Sequence, residues 1–254
     1  MSARVPWSYV QARLQARHGE RLQEADWHAL EAARSLDQYI ERSRASSLRR
    51  FTARFSSRMT SHALERALRG AWRDYVAELA AWSLPVWRPA ILWTASLPDL
   101  PVIDALLRGE RPPWAEADPV FAEFAEGKPR EAKRFALAPL LPGEKRAATL
   151  PQRWHAQWQA LWPKGRARER RALAKLTELV RRHVERLGGA GAQEASAPYR
   201  QELAQAVTRM FRRQSGTPVA VFCHLVLVAL DLERLRGGLA RRRLFAVEQT
   251  REAA

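Results

Sequence analysis

LVLVALDLERLRGGLARRRLF, residues 225–245, begins as an apolar run, becomes charged without losing helical spacing, meets a glycine pair and resumes as an arginine cluster. Leu225, Val228, Leu232, Leu235 and Leu239 recur at steps of three and four, so one apolar stripe passes through the charged part. Asp231 with Arg234, and Glu233 with Arg236, stand at the i,i+3 spacing that lets opposite charges neutralise one another along a helix. Arg236 suits a helix C-terminus, where the macrodipole favours a cation, and Gly237-Gly238 suits a left-handed cap. The spacing therefore predicts a terminal core helix over about 218–236, stopped by glycine. A basic flap, Arg241-Arg242-Arg243, follows and ends at Leu244-Phe245.

Helical periodicity recurs along the whole chain, and convincing period-two alternation does not appear. The clearest element is 61–82, where Leu64, Leu68, Trp72, Tyr75, Leu79 and Trp82 form one stripe, with Arg66, Arg69, Arg73 and Glu78 mostly off it. Upstream, helices are expected over Trp7–His18 and about 24–33. Ser35-Leu36-Asp37-Gln38 reads as a capping box opening a third, which carries Leu36, Tyr39 and Ile40. Prolines divide the middle into short helices at about 86–95, 99–108 and 116–126, with Asp99 placed to cap the second. Residues 139–151 read as a loop, and PQRWHAQWQALWP as a helix ending at Pro163. A long helix is expected over 165–187, with Leu173, Leu176, Val180, Val184 and Leu187 as its apolar side. A flexible connection over 188–197 and a helix over 198–214 complete the chain. The expected fold class is all-α, a multi-helix scaffold forming one unit over 1–254, with a subdivision at 1–110 and 111–254 kept open.

Composition supports a core: 46% of the 254 residues are hydrophobic. The 43 Lys and Arg against 27 Asp and Glu give +16, a charge that attracts nucleic acid, an anionic membrane or an acidic protein without choosing among them. Arginine-enriching codon usage accounts for such an excess equally well. The one cysteine, Cys223, lies in an apolar run and excludes an internal disulfide framework. The N-terminal stretch has no apolar core of a secretory signal, and the apolar run 219–230 is shorter than the ~20 residues of a spanning helix.

Trp154, Trp158 and Trp162 stand at steps of four. Such a ladder can stack on bases or sit at a membrane interface, but core packing is the favoured reading. Arg166, Arg168, Arg170, Arg171, Arg181 and Arg182, with Lys175 and Arg186, decorate nearly every side of their helix, interspersed with Glu169, Glu178 and Glu185. A solvated face leads, with a polyanion contact and an acidic partner as alternatives. Arg166, Arg168, Arg170, Arg171, Arg181 and Arg182, with Arg241, Arg242 and Arg243, are the candidate partner-binding residues. The six histidines are scattered, and no metal, nucleotide or nucleophile motif occurs. No catalytic residue, cofactor, metal or small-molecule substrate is expected.

The N-terminal stretch YVQARLQARHGERLQEADWHALEAARSLDQYIERSRAS resembles the opening of the C/d-type subunit family of V-type ATPases. Tyr9–Arg17 matches its basic first helix, Ala33–Tyr39 its third helix start, and 61–82 its next amphipathic helix. DLPVIDALLRGE (99–110) and LDLERLRGGL (230–239) resemble later helices of that family more loosely. The resemblance implies a non-catalytic adaptor seated between a membrane rotor ring and a central stalk, cytoplasmic and peripheral to the membrane. Its partners would be the protein subunits of that complex, with lipid headgroups as a further contact. A basic nucleic-acid-binding module is the alternative.

Overall fold

The computed structural model describes residues 7–116, 118, 120–121, 137–141, 148–188 and 192–252. Among the described residues it is all-α, with no strand. The elements are α1 (Trp7–Gly19), α2 (Glu24–Glu31), α3 (Leu36–Arg44), α4 (Arg49–Thr52), α5 (Ser61–Trp82), α6 (Arg88–Trp93), α7 (Leu100–Leu107), α8 (Pro113–Glu116), α9 (Leu150–Ala160), α10 (Ala167–Leu187), α11 (Ala192–Arg213) and α12 (Val219–Glu252). Short 3₁₀ turns at Pro85–Trp87, Thr94–Asp99 and Ala138–Leu140 link some of them.

α5 occupies the expected residues and buries Leu64, Leu68, Trp72, Tyr75, Leu79 and Trp82. α3 starts as expected: Ser35 Oγ accepts from the Gln38 amide at 3.2 Å. The reciprocal bond goes one residue further out, from the Arg34 amide to Gln38 Oε1. A complete capping box stands instead at Thr149–Gln152, opening α9 at the end of the stretch expected to be loop. The expected 116–126 helix lies mostly outside the described residues; of those described, Glu116 ends α8 and Asp118, Val120 and Phe121 are not helical. The 188–197 connection gives way at Ala192 to the start of α11.

The tryptophan ladder lies in the core, with Trp154, Trp158 and Trp162 all buried. Two of its indoles, with Trp72 of α5, also serve the proline-interrupted segment 85–99, whose short turns leave carbonyls without helical partners. Trp158 Nε1 donates to the Ala90 carbonyl (3.1 Å), Trp72 Nε1 to that of Thr94 (3.0 Å), and Trp154 Nε1 to Ser96 Oγ (2.9 Å). Each ring fills apolar volume while its single N–H supplies a missing donor. Pro85–Leu107 has the length and composition of a membrane-spanning stretch; in the fold it is divided among these turns, α6 and α7.

The largest departure is at the glycine pair. α12 does not stop there but runs through it as one helix of 34 residues. Positive φ among the described residues belongs to Gly109, Gly165 and Gly216, so Gly237 and Gly238 hold no left-handed cap. The reason lies across the core. A Cβ at Gly238 would overlap the hydroxyl and ring carbons of Tyr39 on α3, whereas one at Gly237 would meet nothing within 4 Å. Glycine at 238 lets two helices approach closely, at a helix-propensity cost that packing offsets.

The expected charge pairs within α12 are also replaced. Asp231 accepts from both Arg21 Nε and Nη2 (2.7 and 2.9 Å), and Arg234 donates to Glu31 and Glu24 on α2 (2.7 to 2.9 Å). Glu233 takes Arg200 of α11 (3.2 Å), and Arg236 takes Glu65 of α5 (2.5 Å). Asp99, expected as a cap, accepts instead from Arg73 (2.6 Å) and lies 3.4 Å from Arg69, which donates to Asp118 (3.1 Å). These long-range bonds fasten the N-terminal helices, α5 and α11 to α12, and the middle segment to α5.

Gly238→Ala is expected to cost about 1–3 kcal/mol through overlap with Tyr39. Gly237→Ala is expected to gain about 0.5–1 kcal/mol through helix propensity. Urea denaturation of the two variants checks both, and equal effects would contradict the continuous helix.

Candidate functional site

Three polar features stand out: the outer face of α10, the groove between α2 and α11, and a buried cluster beneath that groove. α10 buries Ala172, Leu173, Leu176 and His183. The inward stripe turns towards His183 in its last turns, leaving Val184, expected inside, 61% exposed. Arg166, Arg168, Arg170, Arg171, Arg181 and Arg182 all lie on the solvent side. They are not equivalent. Glu178 accepts from both Arg181 (2.7 Å) and Arg182 (2.6 Å), Arg166 lies 3.8 Å from Glu169, and Arg170 sits 5.8 Å from the Trp162 ring centroid. Arg168, Arg171 and Lys175 form no ion pair among the described residues. At steps of three and four they share one outward stripe.

The second arginine group is divided by the continuation of α12. Arg241 is exposed, but Arg242 is only 6% exposed and faces inwards. Its guanidinium lies 4.1 Å from the Tyr39 ring centroid and donates to the carbonyls of Glu31 (2.6 Å), Ala33 (2.9 Å) and Gly238 (2.9 Å). It closes the C-terminal end of α2, where carbonyls lack helical partners. Arg243 donates to the Ser57 carbonyl at 3.0 Å. Arg242 is therefore a structural residue, not a docking residue: a helix, and not a flap, carries it into the core.

The groove has a volume of about 800 Å³. α11 lines it with Gln201, Gln205, Thr208 and Arg212, at steps of four, three and four, and with Arg200 and Arg209. α2 faces them with Glu24, His28 and Glu31, while Leu230, Asp231 and Arg234 of α12 form the floor. Sequence reasoning placed a helix over 198–214 without singling out this polar stripe, and the opposite wall comes from residues about 170 positions away. Beneath the groove, Tyr75 Oη and His224 Nε2 lie 2.6 Å apart in full burial. His18 stacks on Phe211 (4.4 Å between centroids) and stands 6.4 Å from His224. Burial holds His18 below its ordinary pKa, aided by Arg21 and Arg212, and pushes His224 down to about 3. Burial also raises the Asp231 carboxyl against the pull of Arg21. Among the described residues no His, Cys, Asp and Glu side chains gather as a metal site.

No family model, curated protein or solved structure matches the chain.

Replacing Arg242 by Met would leave the Glu31 and Ala33 carbonyls without this donor, while the Gly238 carbonyl keeps its helical partner. The change is expected to cost about 2–3 kcal/mol, against less than about 0.5 kcal/mol for Arg241→Ala. Chemical denaturation of the pair measures the difference. A second expectation concerns pH. The native state holds His224 neutral, while the unfolded chain takes up its proton as pH falls below about 6.5, so stability drops by about 1.4 kcal/mol per unit below that value. Between about pH 6.5 and 5, the protein should lose roughly 2 kcal/mol more than a His224→Gln variant, in which the carboxylate contributions are unchanged. Equal losses would mean His224 is not held neutral.

Proposed function

We propose that the protein is a non-catalytic helical adaptor that docks onto an acidic surface of a membrane-associated protein complex. The observation that carries this reading is the contrast between its arginines. Arg234, Arg236, Arg242 and Arg243 of α12 are engaged in fixing helices and turns to one another, and so are Arg21, Arg69 and Arg73. Arg168, Arg171 and Lys175 stand outward on one rigid stripe with no partner among the described residues. A cationic stripe on a pre-organised helix suits an acidic protein surface, because little side-chain or loop ordering remains to oppose binding. The resemblance of residues 9–82 to the C/d-type subunits of V-type ATPases supports a place between a rotor ring and its stalk, at the cytoplasmic side of a membrane. The nucleic-acid alternative has less support, since Arg242 and Arg243 are engaged with backbone carbonyls.

The test is a mild-detergent pull-down of the tagged protein with quantitative mass spectrometry, alongside an Arg168→Glu/Arg171→Glu/Lys175→Glu variant. Subunits of one membrane complex should co-purify with the wild type and fall about tenfold or more with the variant, a loss of about 1.4 kcal/mol. Recovery of nuclease-sensitive material alone would replace this reading with the nucleic-acid one. Recovery unchanged by charge reversal would remove α10 as the docking face.

A further inference from the structure

The groove between α2 and α11 has features that an adaptor surface does not require. Its volume of about 800 Å³ lies within the range of small-molecule sites. Five arginines line it, and three are neutralised: Arg21 by Asp231, Arg234 by Glu24 and Glu31, and Arg200 by Glu233. Arg209 and Arg212 form no hydrogen bond or ion pair among the described residues. They stand one helical turn apart on α11, so their guanidinium forks can close on one group from two sides. Arg200, further along the same wall, keeps a buried Nε with no partner. Between these ends run Gln205, Gln201 and Thr208, neutral groups that donate and accept without adding charge.

We propose that this groove binds a compact phosphate-bearing anion, with its charge held between Arg209 and Arg212 and its near side against Gln205 and Thr208. The chemistry selects the class. A planar guanidinium fork matches a phosphate oxygen pair, and two forks match a group carrying more than one negative charge. An extended polyanion such as nucleic acid fits poorly, because Glu24, Glu31 and Asp231 line the same groove and would meet its further phosphates. A compact anion at the Arg209–Arg212 end avoids them. The inference does not depend on the adaptor reading, since α10 contributes no residue to the groove.

Isothermal titration calorimetry of the full chain with inorganic pyrophosphate tests it. One variant is Arg209→Gln/Arg212→Gln; the other is Arg168→Gln/Arg171→Gln, which removes the same charge from the outer face of α10. The expected result is saturable binding to one site, weakened tenfold or more in the first variant and unchanged in the second. Short-chain phosphatidic acid, titrated in parallel, separates a lipid headgroup from a soluble phosphate: whichever binds with dependence on Arg209 and Arg212 identifies the source. Absence of saturable binding by both probes would overturn the proposal. So would equal weakening in the two variants, which would mean attraction by net charge alone. Circular dichroism of both variants confirms that exposed substitutions leave the fold intact.

Discussion

The fold depends on arginine side chains that cross between helices at α12. An apolar stripe can hold a helix against a core, but it does not fix which neighbours lie along its edges. On α12 that choice is made by Asp231 with Arg21, Glu233 with Arg200, Arg236 with Glu65, and Arg234 and Arg242 with the end of α2. The Arg21–Asp231 pair joins positions 210 residues apart, and the arginine's second nitrogen also reaches the Leu227 carbonyl (3.3 Å). Ion pairs this well hydrogen-bonded add little net stability over an apolar pair of equal volume, because desolvation offsets their attraction. Their effect is on alternatives: a helix slipped by one turn would bury unpaired charges, at several kcal/mol.

The middle segment follows the same logic with different donors. Prolines keep residues 85–107 from forming one helix, and the interrupted backbone needs partners in a dry environment. Trp72 and Trp158 donate to its carbonyls and Trp154 to Ser96 Oγ, Trp93 donates back to the Trp154 carbonyl, and the Arg69–Asp99–Asp118 cluster ties the far side to α5. These four tryptophans are thus both filler and donor, while Trp162 packs in the core with no partner for its N–H among the described residues. Among the polar surfaces not engaged in this scaffold are the outer stripe of α10 and the open end of the groove beside α11.

How much of this was legible in the sequence depends on the range of the interaction. α5 was readable to its residue limits because its stripe is local, periodic and uninterrupted. The core placement of Trp154 and Trp158 followed from the same periodicity. Local rules failed where a distant residue intervened. Gly237-Gly238 has the composition of a cap, and nothing nearby shows that Tyr39 occupies the space a side chain would need. Asp99 has the position of a cap, but Arg73 lies within reach. The i,i+3 pairs on α12 have the right spacing, yet stronger partners arrive from α2, α5, α11 and the Arg21 turn. Val184 continues an apolar stripe on paper, while α11 meets α10 on the side of His183. The groove needs two walls far apart in the chain and could not be seen until both were placed.

This architecture requires α12 to be one uninterrupted helix, with the N-terminal helices locked onto it beyond the glycine pair. Native-state hydrogen exchange at Leu239, Ala240 and Arg241 reads that continuity out amide by amide. In a continuous, packed helix these amides should be protected to within about tenfold of Leu235, since all would open only with a large part of the fold. Fast exchange beginning at Gly238, with protection confined to residues before it, would show a helix that ends at the glycines and would refute the architecture.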